Sequence, residues 1–303
     1  MANLLYHRPV LLYESIKALN INPDGVYADF TFGGGSHSEE ILKQLGKKGH
    51  LYAFDKDNDV VENTFNDSRF TFTRADYRFA YNFLRYYNSL PLDGIIADLG
   101  ISSHHIDDYK RGFSFRFIDA ELDMRMDINS SKTAAYILNN YAKEQLTEIF
   151  QNYGEIKYAG KIADTIINYR TDKKIKKVSD LINIIEPYVP KNKKNQFYAK
   201  VFQALRIEVN DELVSLKELL LQLPDLLKPS GRVVIISYHS LEDRLVKNYF
   251  KTGNFEGNLQ KDFYGKIISP LIPVTTKPVI ASENEIRNNN KARSAKLRIA
   301  EKK

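Results

Sequence analysis

The chain has 303 residues and no cysteine. That absence excludes disulfide staples, Cys-ligated zinc, iron–sulfur clusters and every thiolate nucleophile. Long apolar runs are missing too: nothing approaches the ~18 consecutive apolar residues of a membrane span. Near the N-terminus, Arg8, Pro9 and Glu14 interrupt the chain before a signal-like apolar stretch develops, so secretion is not expected. What is present suits a globular protein of two domains, or of one large decorated domain. With 43% apolar or aromatic residues there is material for a sizeable core, and 27% charged residues is ordinary.

Charge is unevenly spread. The formal net charge is +6, yet residues 157–200 alone carry eleven basic and four acidic side chains. Lys173, Lys174, Lys176, Lys177, Lys191, Lys193 and Lys194 stand out there. Residues 284–303 add seven basic against two acidic, so the remainder is acidic. Two basic segments on an acidic body point to a polyanionic partner such as nucleic acid. A solvated lysine-rich face has the same composition.

The first hundred residues alternate strands and helices. Val26–Phe30, Leu51–Phe54, Phe70–Thr73 and Gly94–Ala97 read as strands, the second ending at Asp55 and the fourth at Asp98. Ser38 is expected to cap a helix through Leu45, with Gly46 ending it. Helix-length spacers between strands imply βαβ units and a parallel sheet. From about Ser103 to Asn210 no strand pattern appears. Leu146, Ile149, Phe150 and Tyr153, and later Tyr198, Val201, Phe202 and Leu205, recur at helical spacing. This stretch reads as a helical insertion bearing the first basic segment. A helix with Leu213, Leu216, Leu220 and Leu223 then leads through a turn at Leu226–Gly231 to a buried strand at Val233–Ile236. Leu271–Val274 and Leu297–Ala300 are expected edge strands, since Pro273 and Pro278 disfavour central positions.

Asp29-Phe30-Thr31-Phe32-Gly33-Gly34-Gly35-Ser36-His37 follows the first strand. Glycines at a strand–turn–helix junction let a ligand approach the backbone closely. A purely structural turn reads the same. Asp55, twenty residues beyond Gly35, strengthens the ligand reading, because a carboxylate there accepts hydrogen bonds from ribose hydroxyls. The dinucleotide pattern G-x-G-x-x-G fails, with serine at position 38. An adenosine ligand without pyrophosphate, S-adenosylmethionine above all, therefore fits better than NAD. Asp98 heads Leu99-Gly100-Ile101-Ser102-Ser103 at a strand end that lines the crevice of an open α/β sheet, although Asp and Ser also cap loops. His104 and His105 follow as residues of a pocket-lining loop; no metal site is assigned. Ser237-Tyr238-His239-Ser240-Leu241-Glu242-Asp243-Arg244 gathers polar groups at another strand end, where Ser240 with Glu242 and Asp243 also reads as a helix start.

Taken in order, these segments resemble the bacterial 16S ribosomal RNA cytosine-N4 methyltransferases of the MraW type (small-subunit methyltransferase H). The resemblance is carried by His7 with Pro9-Val10-Leu11-Leu12, by Asp29 with Thr31-Phe32-Gly33 and Gly35, by His37-Ser38, and by Asp93-Gly94-Ile95 with Asp98–Ser103. It continues through Arg111-Gly112-Phe113-Ser114-Phe115, Leu122-Asp123-Met124-Arg125-Met126-Asp127, and Phe202-Gln203-Ala204 with Arg206-Ile207. Ser237–Arg244 and Ala292-Arg293-Ser294 with Leu297–Glu301 complete it.

The resemblance implies an α/β fold: a class I (Rossmann-like) S-adenosylmethionine-dependent methyltransferase sheet with an inserted helical domain. The expected division is 1–104 and 211–303 for the methyltransferase domain, with a basic C-terminal tail, and 105–210 for an inserted substrate-recognition domain. It implies a cytoplasmic enzyme acting on 16S rRNA, within the small ribosomal subunit and at its decoding region. No membrane partner is implied, and the oligomeric state stays open, a homodimer among the choices. Donor-binding positions fall by resemblance on Gly35, Ser36, His37, Asp55, Tyr77, Asp98 and His105. Three of them depart from the common pattern, which has glycine at position 36, phenylalanine at 77 and glutamine at 105.

For the chemistry, Asp98, Ser237 and His239 are the candidates to hold the exocyclic amine and take its proton. The Asp/Asn-Pro-Pro-aromatic motif of many amino-methyltransferases is absent, since Asp98-Leu99-Gly100-Ile101 has no proline. Methylation of carbon-5 of a pyrimidine generally begins with attack by a cysteine thiolate. A chain without cysteine cannot take that route, which favours the exocyclic nitrogen. Three alternatives remain at this stage: a methyltransferase of DNA or protein, an NAD oxidoreductase, and a non-catalytic RNA-binding protein.

Overall fold

The computed structural model describes residues 9–303; His7 and Arg8, and the side chains of Ser103 and His104, lie outside the described residues. The chain divides into two compact units, Met1–Gly100 with Leu213–Lys303, and Ile101–Glu212.

The first unit is the expected α/β, Rossmann-like sheet. Its strands are β1 (Val26–Asp29), β2 (His50–Asp55), β3 (Phe70–Arg74), β4 (Leu92–Asp98), β5 (Leu227–Ser237), β6 (Leu271–Pro273) and β7 (Lys296–Lys302). They lie in the order β3-β2-β1-β4-β5-β7-β6. The first five are parallel, and β7 runs antiparallel to both β5 and β6. The order reverses between β1 and β4, so the topological switch point lies there. The carboxyl ends of β1, β2, β4 and β5 share one edge of the sheet. In open α/β sheets, ligands bind in the crevice at that edge.

Twofold alternation along each strand builds two cores. Ala28, Ile95, Ala97, Val233 and Ile235 share one cluster, and Tyr27, Ile96, Val234, Ile236 and Leu297 share another. Helices α1 (Leu12–Leu19) and α2 (Ser36–Gln44) cover the second face through Ile16, Leu19, Ile41 and Leu42. The first face is covered by α3 (Ala80–Tyr86) and, beyond the insertion, by residues of the helices at Glu212–Leu226 and Ser240–Thr252. Burial on both faces explains why the central strands read as continuous apolar runs.

The second unit is helical: α4 (Ser103–Asp107), α5 (Ala134–Asn140), α6 (Lys143–Asn152), α7 (Ala159–Asp172), α8 (Val178–Ile185) and α9 (Lys194–Asn210). Its own core contains Phe150, Ile162, Ile166, Leu181, Val201 and Leu205. The remaining helices are α10 (Glu212–Leu226), α11 (Ser240–Thr252) and α12 (Glu283–Asn288). Among the described residues no helix is long and apolar enough to cross a membrane.

Three local expectations are corrected. Leu297–Ala300 is not an edge: β7 is paired on both sides, and β6, which holds Pro273, is the border on that side of the sheet. The prolines restrict their own segment, not the strand beside it. The Leu226–Gly231 turn is instead a bulged entry to β5, whose partner register jumps between Leu92 and Gly94, with Ser230 at φ 63°. Ser38 does not cap α2. Gly35 is the N-cap, the last helical residue is Gln44, and Ser38 Oγ is buried on Asp29. The helix start read at Ser240 is present: Ser240 is the first residue of α11, with His239 rather than Ser240 as the cap in a capping box with Glu242.

Candidate functional site

Three aspartates close adjacent parallel strands at one edge: Asp29 on β1, Asp55 on β2 and Asp98 on β4. Each is held differently. Asp29 is almost wholly buried; it accepts Ser38 Oγ at 2.7 Å and the Thr31 backbone N–H at 3.0 Å. Burial pushes its carboxyl up to about 6, only partly offset by those bonds. Asp55 accepts the backbone N–H of Gly33 and of Asp57, both at 2.9 Å. These bonds tie the end of β2 to the glycine turn after β1.

The glycine turn has a steric reason. Gly33 and Gly35 sit at φ 49° and 77°, the left-handed region that glycine tolerates. A Cβ at Gly35 would meet the Phe65 ring at 2.9 Å, so the backbone there lies directly against an aromatic wall. Ser36 and His37 open α2 immediately after, and the first N–H groups of a helix have no intrahelical acceptor. The His37 ring is buried, which lowers its pKa to about 4 despite a hydrogen bond with the Val10 backbone. It is therefore neutral at pH 7, and its Nε2 is buried without a hydrogen-bond partner.

Asp98 is the centre of the arrangement. Its backbone N–H donates to Thr31 Oγ1 at 2.6 Å, and its Oδ1 accepts the Tyr238 hydroxyl at 2.7 Å. Protein packs closely round the carboxyl, although the residue keeps part of its surface open. Burial pushes its pKa up to about 7. The Tyr238 bond opposes that rise, Asp29 and Glu242 reinforce it, and Lys291 opposes it. Tyr238 itself stays protonated, its pKa raised well above 10 by burial and by Asp98. Gly100 makes the contact possible: it sits at φ 101°, and a Cβ there would press on the Tyr238 ring at 3.3 Å.

Ser237 and His239 flank Tyr238 but point to other work. Ser237 is buried, and its Oγ donates to the Lys296 carbonyl across to β7 at 3.3 Å. His239 Nδ1 accepts the Glu242 N–H at 3.4 Å, and its Nε2 lies 3.2 Å from Glu242 Oε1 without hydrogen-bond geometry. Tyr77 stands in the turn after β3, half-buried against the sheet core, next to Asp76, which accepts Lys56 Nζ at 3.2 Å. His105 belongs to the other unit; there its Nδ1 accepts the Ser102 N–H at 3.3 Å, and its ring lies 5.0 Å from Phe113. The structure thus gathers Gly35, Ser36, His37, Asp55, Asp98, Ser237 and His239 at one end of the parallel strands.

Tyr238 was not singled out from the sequence, although it stands between two residues that were. The only sequence signal is a hydroxyl-bearing aromatic two residues beyond Ile236, the register partner of Asp98.

The helical unit contributes a cavity of about 780 Å³, lined by aromatic rings including Phe113, Phe115 and Phe202 and by Arg116 and Lys194. Its basic segment also has a defined build. Lys173, Lys174, Lys176 and Lys177 are exposed around the buried Ile175. Asp180 pins the loop by accepting Lys173 Nζ at 2.8 Å and the N–H groups of Lys176 and Lys177 at 3.0 Å.

Comparison with known proteins adds three findings. The model of a family described as the MraW methylase family matches residues 4–303. The ribosomal RNA small subunit methyltransferase H of Parabacteroides distasonis is 54% identical over 298 residues, 98% of this chain and 97% of that protein. The proteins of the same name from Bacteroides fragilis and Amoebophilus asiaticus are 52% and 53% identical; each alignment covers 98% of this chain, with 98% and 96% of theirs.

Proposed function

The chain belongs to the MraW methylase family, and from that premise we propose that it methylates the exocyclic N4 of a cytidine in 16S ribosomal RNA, at the decoding region of the small subunit. S-adenosylmethionine is the methyl donor; when bound it supplies an activated methyl group on a sulfonium, ready for in-line displacement. Gly35, Ser36 and His37 present the turn and helix start to it. Asp55 takes the ribose hydroxyls, and Tyr77 stacks on the adenine.

Asp98 carries the reading. The cytosine amine is a poor nucleophile because its lone pair is delocalised into the ring. A carboxylate that accepts one of its N–H groups concentrates that lone pair on nitrogen. It then takes the proton as the new N–C bond forms. A general base works best with a pKa near the operating pH, and Asp98 sits at about 7. Tyr238 holds one carboxylate oxygen and fixes its orientation. Ser237 and His239 act chiefly by shaping the β5–α11 junction around Tyr238. The inserted helical unit (105–210) is the substrate-recognition part: its aromatic-lined cavity suits an extruded or single-stranded base, and its lysines suit the phosphate backbone. Such an enzyme works in the cytoplasm, where its RNA is.

The test offers the protein labelled S-adenosylmethionine with small-subunit rRNA, DNA and protein in competition. Label is expected in the RNA alone, and Asp98→Asn is expected to lose at least a hundredfold in rate. Label in DNA or protein, or an Asp98→Asn enzyme as fast as wild type, refutes the reading.

A further inference from the structure

One segment of the first unit spends its backbone bonds on holding two aromatic rings in water. Between α11 and β6, Lys261 and Ile267 pair as an antiparallel bridge. Asp262 N–H donates to the Lys266 carbonyl at 2.9 Å, and Gly265 N–H donates to the Asp262 carbonyl at 3.0 Å. Asp262 Oδ1 accepts the N–H groups of Tyr264 and Lys266, both at 2.9 Å. Gly265, at φ 80°, closes the turn in the left-handed region. Lys303 Nζ donates to the Ile267 carbonyl at 2.9 Å, next to the end of β7.

On this frame Phe263 is 97% exposed and Tyr264 84% exposed. The rings meet edge to face at 5.7 Å, so at least one keeps a whole face to solvent. A hairpin tip needs Asn, Asp, Ser or Gly, not aromatics, and neither ring contributes to a core cluster. Lys261 and Lys266 flank the pair and are exposed.

We propose that this tip is an RNA-contacting finger, stacking Phe263 and Tyr264 on unpaired bases of the RNA substrate while Lys261 and Lys266 meet the adjoining phosphates. The inference rests on the functional reading above, and it names a contact remote from the residues assigned to methyl transfer. Aromatic side chains interleaved with cations are how proteins hold single-stranded nucleic acid. A second copy of the chain is the poorer occupant. Two rings bury about 150–250 Å² each, well short of the roughly 800 Å² per partner of a stable interface. The same lysines on both tips would also repel.

The test compares wild type with Phe263→Ala/Tyr264→Ala, Phe263→Leu/Tyr264→Leu and Phe263→Trp/Tyr264→Trp. Read-outs are affinity for a small-subunit rRNA transcript, donor affinity, sedimentation, and binding to phosphatidylglycerol–phosphatidylethanolamine vesicles. The finger predicts that the Ala and Leu variants bind the transcript about tenfold or more weakly, that Trp restores binding, and that donor affinity is unchanged in all. Leu keeps the apolar bulk, so its failure isolates stacking from mere hydrophobicity. Variants that bind and methylate the transcript like a competent wild type overturn the finger alone. A wild type that fails to methylate the transcript removes the functional reading and the finger with it. Loss of vesicle binding or of a dimer, with RNA affinity intact, assigns the tip to another partner and overturns the proposal.

Discussion

Replacing Tyr238 by Phe removes one hydroxyl and little else. The ring keeps its seat against Gly100, and the bond to Asp98 Oδ1 at 2.7 Å is lost. That bond favours the ionised carboxylate, so its loss raises the Asp98 pKa above its present value of about 7. A hydrogen bond to a charged group is worth about 1.5–3 kcal/mol. At 1.36 kcal/mol per pH unit, that is a rise of about one to two units. The base form is the active one, so the acid limb of kcat/KM should move from about pH 7 to about pH 8–9. At pH 7 the ionised fraction falls from about half to about a tenth or less, and the rate falls with it. At high pH the variant should recover most of its activity, because the base is then ionised in both proteins. The assay is methyl incorporation into small-subunit rRNA at subsaturating RNA across this pH range, with Asp98→Asn as the control that lacks the limb. An unmoved limb, or a loss of rate equal at every pH, refutes the assignment of Asp98 as the proton acceptor held by Tyr238.

Three further outcomes are expected. Asp55→Ala should weaken S-adenosylmethionine binding by about an order of magnitude or more in calorimetry, since two ribose hydroxyls lose a charged acceptor; unchanged affinity removes Asp55 from the site. Reversing Lys174, Lys176 and Lys177 to Glu should weaken RNA binding and flatten the log–log salt slope by about 2–3; Lys173 is spared because it pairs with Asp180. For Asp180, burial acts to raise the pKa, but Lys173 and the backbone N–H groups of Lys177 and Lys176 prevail and hold it at about 2 rather than 3.8. Its folded value is depressed, so its contribution is present above about pH 4 and lost as pH falls towards 2. Asp180→Ala should cost up to about 2 kcal/mol in urea unfolding at neutral pH, solvent screening of the exposed Lys173 making that an upper figure. The acid sensitivity below pH 4 should shrink in parallel.

Much of the sheet was legible because its central strands are buried on both faces and read as compact apolar runs. Asp55 and Asp98 could be placed at strand ends for the same reason: each is the first charged residue after such a run. What escaped were contacts made across the chain. Ser38 looked like a cap by position, yet its hydroxyl is buried on Asp29, nine residues back, because the Gly33–Gly35 turn folds α2 against β1. Tyr238 and Asp98 are 140 residues apart, and only the β4–β5 pairing brings them together. Leu297–Ala300 looked like an edge because nothing local reveals that β6 would add beyond it. Sequence reasoning points to Ser237 and His239 and passes over Tyr238 between them. The backbone turns the Ser237 hydroxyl to Lys296 and makes His239 a cap, leaving Tyr238 on Asp98.

Mapping the methyl group by mass spectrometry tests the central claim most directly. Small-subunit rRNA lacking the modification is treated with the protein and S-adenosylmethionine, digested and sequenced by fragment mass. The account predicts one new methyl, on N4 of a cytidine in the decoding region. A methyl on carbon-5 would demand a nucleophile that a chain without cysteine does not possess. That result, or a methyl on any other nucleoside, would contradict the account.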